Sequence, residues 1–261
     1  MNWTLDIIKV GQADVRGAEV YWMSGWDDWE TLYFYMLLIR GGGKTVLVNT
    51  GPPPQEQLTE LNRKWVSYVG GERAALTVGE NEQPENALRR LDVSPASVDH
   101  VILTPFQIYT TANLKLFSNA TISLSRRGWI DFHAPRFTTS REQRAGCFPE
   151  DVLTHLMTGG WERVRLLEDE EEILPGLRTF WVGGHHRESI AVSVATASAG
   201  RVIFSDCIFK YPNIEQGRVL GIAESIEECR AAYQRINRDA DTVLAGYDPE
   251  TLRRFTNGRI E

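Results

Sequence analysis

Asp99-His100-Val101-Ile102-Leu103-Thr104-Pro105-Phe106-Gln107-Ile108-Tyr109-Thr110-Thr111-Ala112-Asn113-Leu114-Lys115-Leu116-Phe117 is the stretch around which this 261-residue chain is organised. Val101 to Leu103 reads as a short buried strand that runs into Thr104. Pro105 breaks the pattern, and Leu114, Leu116 and Phe117 then space themselves as a short helix. A turn between strand and helix gathers side chains at the strand's carboxyl end, where sites in α/β folds form. Upstream, Asn81 to Leu91 reads as a helix that leads through Asp92-Val-Ser-Pro-Ala-Ser-Val98 into this strand. Downstream, Ala120 to Ser125 is the next strand and Arg126 to His133 the next helix.

The composition, 42% hydrophobic and 24% charged, is that of a globular protein, and the length suffices for one α/β domain over residues 1–261. The formal charge of −7 leaves no basic face, so nucleic acid is not expected as a partner. No apolar run approaches the roughly 18 residues of a membrane span, so no membrane partner is expected either. Met1-Asn-Trp-Thr-Leu-Asp-Ile-Ile alternates like a first strand rather than a leader. Cys147, Cys207 and Cys229 are odd in number and have no Cys-x-x-Cys spacing, which fits reduced thiols and predicts a cytoplasmic protein.

Residues 3–10 and 18–24 read as strands around a turn from Gly11 to Gly17. Gly25-Trp26-Asp27-Asp28-Trp29-Glu30 follows as an acidic, aromatic loop, either packed on the body of the protein or bordering a pocket or dimer interface. Thr31–Arg40 and Thr45–Asn49 form a hairpin about Gly41-Gly42-Gly43. Gly43-Lys44-Thr45 is no phosphate loop, because Leu38 occupies the first glycine position and a strand follows. Gln55–Tyr68 and Pro149–Thr158 read as helices, and Glu168 to Glu172 as a solvated acidic turn. Strands at 164–167, 177–182, 190–195, 201–204 and 242–245, with a helix at 226–236 and a final helix after Asp248, complete the chain.

Four loops then invite comparison: Thr104 to Thr110, Gly183-Gly184-His185-His186-Arg187-Glu188-Ser189, Ser205-Asp206 and Gly246-Tyr247-Asp248. Their order and spacing resemble those of the metallo-β-lactamase superfamily, and the run-in Asn86-Ala-Leu-Arg-Arg-Leu91 with Val98-Asp-His-Val-Ile-Leu-Thr104 resembles its N-acyl-homoserine lactonase branch. The resemblance implies a four-layer αβ/βα sandwich: two mixed sheets face to face, helices on both outer faces, and a site at one edge. It also implies where metal ligands would stand. In the family signature Thr-His-x-His-x-Asp-His, Pro105 and Gln107 occupy the first two histidine positions, Tyr109 the aspartate and Thr110 the last histidine. His185 and Asp206 match a metal-binding histidine and the bridging carboxylate, while Tyr247 stands at the final histidine. Asn49 replaces an orienting aspartate, and Phe209 a tyrosine that assists the substrate carbonyl, with Tyr211 two residues on.

Catalytic zinc takes three protein ligands of His, Asp, Glu or Cys type plus an open position, and a dinuclear site takes more. Only His185 and Asp206 remain. The expectation is a pocket of Gln107, Tyr109, Thr110, His185, Asp206 and Tyr247 without a resident metal, in a non-catalytic or small-molecule-binding protein. Asp206 and His185 are expected to contact each other, a water, or the hydroxyls of Tyr109 and Tyr247. The alternative is a metal-dependent lactone or ester hydrolase with zinc or another divalent transition metal at a remodelled mononuclear site, drawing on His186, Glu188 or His133. Strand-like alternation predicts that His186 faces away from His185. A Cys207–His pair is a metal-free possibility, and the resemblance to the lactonase branch makes a homodimer through the aromatic loops a possible assembly.

Overall fold

Residues 2–261 are described by a computed structural model, Glu142 through its backbone alone. The strands are β1 (Thr4–Arg16), β2 (Trp29–Gly41), β3 (Lys44–Val48), β4 (His100–Ile102), β5 (Thr121–Ser125), β6 (Val164–Leu167), β7 (Glu170–Leu174), β8 (Leu177–Trp181), β9 (Ile190–Ala195), β10 (Arg201–Ser205), β11 (Thr242–Ala245) and β12 (Arg259–Ile260). The helices are α1 (Gly17–Val20), α2 (Gln55–Val69), α3 (Pro84–Arg89), α4 (Ile108–Thr111), α5 (Arg126–His133), α6 (Arg141–Cys147), α7 (Glu150–Met157), α8 (Tyr211–Glu215), α9 (Ile226–Asp239) and α10 (Glu250–Arg254). One sheet has the order β12-β1-β2-β3-β4-β5-β6 and the other β11-β10-β9-β8-β7. Both are mixed: β3 through β6 run parallel, as do β10 and β11, and the remaining pairs are antiparallel.

Period-two alternation assigns each face. Tyr35, Leu37 and Ile39 of β2 point between the sheets, where they meet Val192, Val194, Val202, Phe204 and Leu244. Phe34, Met36 and Leu38 point outward, into a cluster that includes Leu58 of α2 and Leu88 of α3. Cys229, Ala232, Tyr233 and Ile236 of α9 share that outer cluster with Phe180 and Ile203 of the second sheet. Helices therefore cover both outer faces, the four-layer sandwich that the family resemblance implied.

Four elements differ from the sequence reading. Residues 4–16 form one strand, with a bulge where the register passes from Lys9↔Tyr35 to Gly11↔Phe34. The extra residue moves the outward positions from Ile8 and Val10 to Ala13 and Val15, and so breaks the alternation that defines a strand in sequence. Residues 17–20 are a helical turn, not the start of a strand. The acidic run enters edge strand β7, where charge covers an exposed sheet edge. Glu168 and Asp169 pair with Arg126 and Arg127 of α5, Glu170 with Arg178 and Arg235, and Glu171 with Arg165. The helix expected at 114–117 is preceded by α4 and shrinks to a 3-10 turn over Leu114–Leu116.

Candidate functional site

The site is built from the ends of β3, β4, β9, β10 and β11. Asn49 follows β3 in a left-handed conformation, φ 65°, and its Oδ1 accepts from Thr104 N at 2.9 Å. That bond sets the Thr104 side chain beyond the end of β4. Thr104 Oγ1 donates to Asp206 Oδ1 at 2.7 Å and accepts from Ile190 N at 3.1 Å. From the other side Ser189 Oγ donates to Asp206 Oδ2 at 2.5 Å and accepts from His186 N at 3.1 Å. Asp206 has no exposed surface. Burial raises its pKa above the ordinary carboxylate value, and the two hydroxyls and His186 hold back part of that rise.

The Asp206 partners correct the expectation. Its hydrogen bonds come from Thr104 and Ser189, not from His185, Tyr109 or Tyr247. Tyr109 and Tyr247 instead place their hydroxyls 3.5 Å from each other. Their rings belong to an aromatic chain: Phe34 lies 4.4 Å from Tyr109, Phe209 lies 4.6 Å from Tyr247, and His185 lies 4.9 Å from Phe209. Burial pushes both tyrosine hydroxyls above their usual value, so both are neutral. Phe209 thus sits between His185 and Tyr247, while Tyr211 is directed elsewhere, its hydroxyl accepting from Thr251.

Gly183 and Gly184 are left-handed, φ 55° and 74°, so the loop they open is not extended and alternation does not hold across it. His186 consequently lies over His185, ring centroids 3.8 Å apart, instead of facing away. His185 Nδ1 is 2.7 Å from the Ile222 carbonyl, which assigns the proton to Nδ1 and leaves Nε2 as a lone pair. That Nε2 is buried without a hydrogen-bond partner. Burial, with His186 beside it, keeps His185 well below the usual histidine pKa. His186 lies between Gln107, at 3.3 Å, and Glu224, at 3.5 Å. Burial alone would lower its pKa, but the carboxylates of Glu188, Glu224 and Asp206 outweigh it and hold the imidazole above the usual value. Glu188 accepts from Phe106 N at 3.2 Å and is raised by burial.

Thr110 turns its hydroxyl onto its own loop, 2.6 Å from the Pro105 carbonyl and 2.7 Å from that of Gln107. His133 packs edge-on against Trp129 at the end of α5. Cys207 Sγ donates to Cys229 Sγ, 3.6 Å away, rather than to a histidine ring. Thr104 and Ser189, which clamp Asp206, were not assigned roles from sequence; two hydroxyl residues flanking a strand end carry no pattern of their own.

These residues do not fit a dinuclear metal centre. Pro105 brings no donor atom, the Thr110 hydroxyl is engaged by backbone, and both Asp206 oxygens are hydrogen-bonded. Among the described residues, no group of three His, Cys, Asp or Glu side chains is disposed about a common point.

Sheets, layers and loop positions together define a metallo-β-lactamase-type αβ/βα sandwich. Solved structures of this fold align over nearly the entire chain. An N-acyl homoserine lactone hydrolase with the product N-hexanoyl-L-homoserine at its catalytic metal centre matches with a TM-score of 0.81, 17% identity, and 98% of this chain and 97% of that one covered. A mutant of AiiA from B. thuringiensis, with N-decanoyl-L-homoserine bound at the active site, gives 0.80 and 17%, over 98% and 97%. A probable metal-dependent hydrolase from Staphylococcus aureus gives 0.69 and 14%, over 90% and 84%. No family model and no curated protein matches the sequence.

Proposed function

We propose that this chain is a metallo-β-lactamase-fold protein in which the dinuclear hydrolase site has been replaced by a metal-free polar and aromatic site, non-catalytic or binding a small molecule. The carrying observation is the Asp206 clamp: Thr104 and Ser189 satisfy both oxygens of the carboxylate that would bridge two metals. To the same site we assign Gln107, Tyr109, Thr110, His185 and Tyr247. Gln107 and His186 are both half-buried and lie 3.3 Å apart. An N-acyl homoserine lactone is the first ligand to try, because its ring-opened product occupies the site of a structural neighbour.

One feature favours a second reading, a hydrolase of lactones or esters with a mononuclear zinc site. The unpartnered Nε2 of His185 is a ligand-type lone pair, and His186 lies beside it. Purified protein dialysed against zinc, manganese or iron decides between the two. The metal-free reading expects substoichiometric metal by elemental analysis and no turnover of N-hexanoyl homoserine lactone. It also expects no melting shift, whereas a native-state ligand at a hundredfold its Kd stabilises by about 2.7 kcal/mol. Stoichiometric zinc that is lost with hydrolysis in His185→Ala would establish the hydrolase.

The three free thiols suit a reducing cytoplasm, and among the described residues no helix is long and apolar enough to cross a membrane. Arg16 and Arg73 each lie over the Trp29 ring, whereas Trp22, Met23 and Trp26 are exposed. That exposed patch is the surface we assign to a homodimer, to be checked by sedimentation of wild type against Trp26→Ser.

A further inference from the structure

Two thiols meet in the core behind the histidine loop. Cys207 follows Asp206 in the turn after β10, and Cys229 belongs to the first turns of α9. Both are fully buried, 22 residues apart in sequence, with Sγ atoms 3.6 Å from each other. Gly184 lies directly upon them: a Cβ there would stand 2.8 Å from Cys229 Sγ and 3.1 Å from Cys207 Sγ. The same glycine is tied to the α9 end, its carbonyl accepting from Glu224 N and Ser225 N and its N–H donating to Glu228. Tyr233 of α9 donates to the Cys207 carbonyl at 3.1 Å. The two sulfurs therefore sit where the Asp206 turn, the His185 loop and α9 converge.

We propose that Cys207 and Cys229 are a dithiol–disulfide couple, oxidised by a hydroperoxide or a small-molecule disulfide, whose bond ties the Asp206 turn to α9 beneath the His185 loop. With a hydroperoxide, one sulfur attacks the terminal peroxide oxygen, the O–O bond breaks, and an alcohol leaves (water, for hydrogen peroxide). The resulting sulfenic acid is displaced by the second thiol with loss of water. Two thiols and one peroxide thus give one S–S bond, one alcohol and one water, the sulfurs supplying both electrons. With a small disulfide, two successive exchanges release two small thiols. Bond formation brings the sulfurs about 1.5 Å closer, to the roughly 2.05 Å of a disulfide. That movement is divided between the turn and the helix. In a reducing compartment the couple rests as the dithiol seen here.

The test uses the full chain carrying Cys147→Ser, which removes the partly exposed third thiol. One portion is oxidised folded with hydrogen peroxide; another is reduced, unfolded, and refolded in a glutathione redox buffer, where burial no longer limits access. The expected result in either arm is an intact mass lower by two hydrogen atoms, a linked Cys207–Cys229 peptide in a non-reducing digest, and reversal by a thiol reductant. Cys229→Ser in the same background loses this mass change. Recovery of both cysteines as free thiols, glutathione adducts or sulfinic acids in both arms would overturn the proposal.

Discussion

Removing the Ser189 hydroxyl tests the Asp206 clamp most directly. In Ser189→Ala the fully buried Asp206 loses the donor on Oδ2, and His186 N loses its acceptor at 3.1 Å. A hydrogen bond to a charged group contributes about 1.5–3 kcal/mol, and a buried polar group left unpaired costs about 1–3 kcal/mol. The loss expected is therefore about 3 kcal/mol. In a chain of this size each kcal/mol moves Tm by about 2–4 °C, so Ser189→Ala should melt about 6–12 °C below wild type at pH 7. Thermal melts followed by circular dichroism read this directly, in zinc-free buffer with a chelator present. A double-mutant cycle with Asp206→Asn isolates the pair. Against the neutral amide the same hydroxyl should matter less, giving a coupling of about 1–2 kcal/mol. An unchanged Tm, or a coupling indistinguishable from zero, would mean that Asp206 is not held by Ser189. The carboxylate would then be open to another partner, a metal ion included.

Asp206→Asn by itself is expected to melt at or above wild type at pH 7. A carboxyl whose folded pKa is raised contributes stability below its unfolded pKa and loses it as pH rises through the folded one. The advantage of the amide should accordingly shrink as pH falls toward 4, in melts taken at half-unit steps. His155 accepts from Arg163 at 2.9 Å and is held below the usual histidine pKa by burial and by Arg163. The unfolded histidine binds its proton first, so this stabilisation is present above the unfolded pKa and is lost as pH falls through the folded one. His155→Gln should lower Tm at pH 7, and its difference from wild type should shrink as the pH is lowered. Gly128 of α5 lies against Glu188 so closely that a Cβ would stand 2.1 Å from Glu188 Cβ. Gly128→Ala should cost about 3 kcal/mol or abolish soluble expression, and melting within about 2 °C of wild type would contradict that packing.

Much of this molecule could be read along the chain. The hairpin turn at Gly41-Gly42-Gly43 and the strands read at 101–103 and 120–125 follow from periodicity and turn chemistry, which act over a few neighbouring residues, whereas the order of the site loops came from the family resemblance. The side-chain chemistry at positions 105 and 110 was readable too, since a proline lacks a donor and a threonine carries a hydroxyl in any fold. What each donor touches was decided by tertiary structure. Asp206 takes its hydrogen bonds from residues 102 and 17 positions away, and no local pattern selects those hydroxyls over two tyrosines equally able to donate. His186 lies over His185 because two left-handed glycines bend the loop, which removes the alternation on which the sequence reading relied. The bulge at Gly11 and the acidic edge strand β7 depended on their partners β2 and β8 in the same way. Strand identity there is a property of the pair, and a single segment does not carry it.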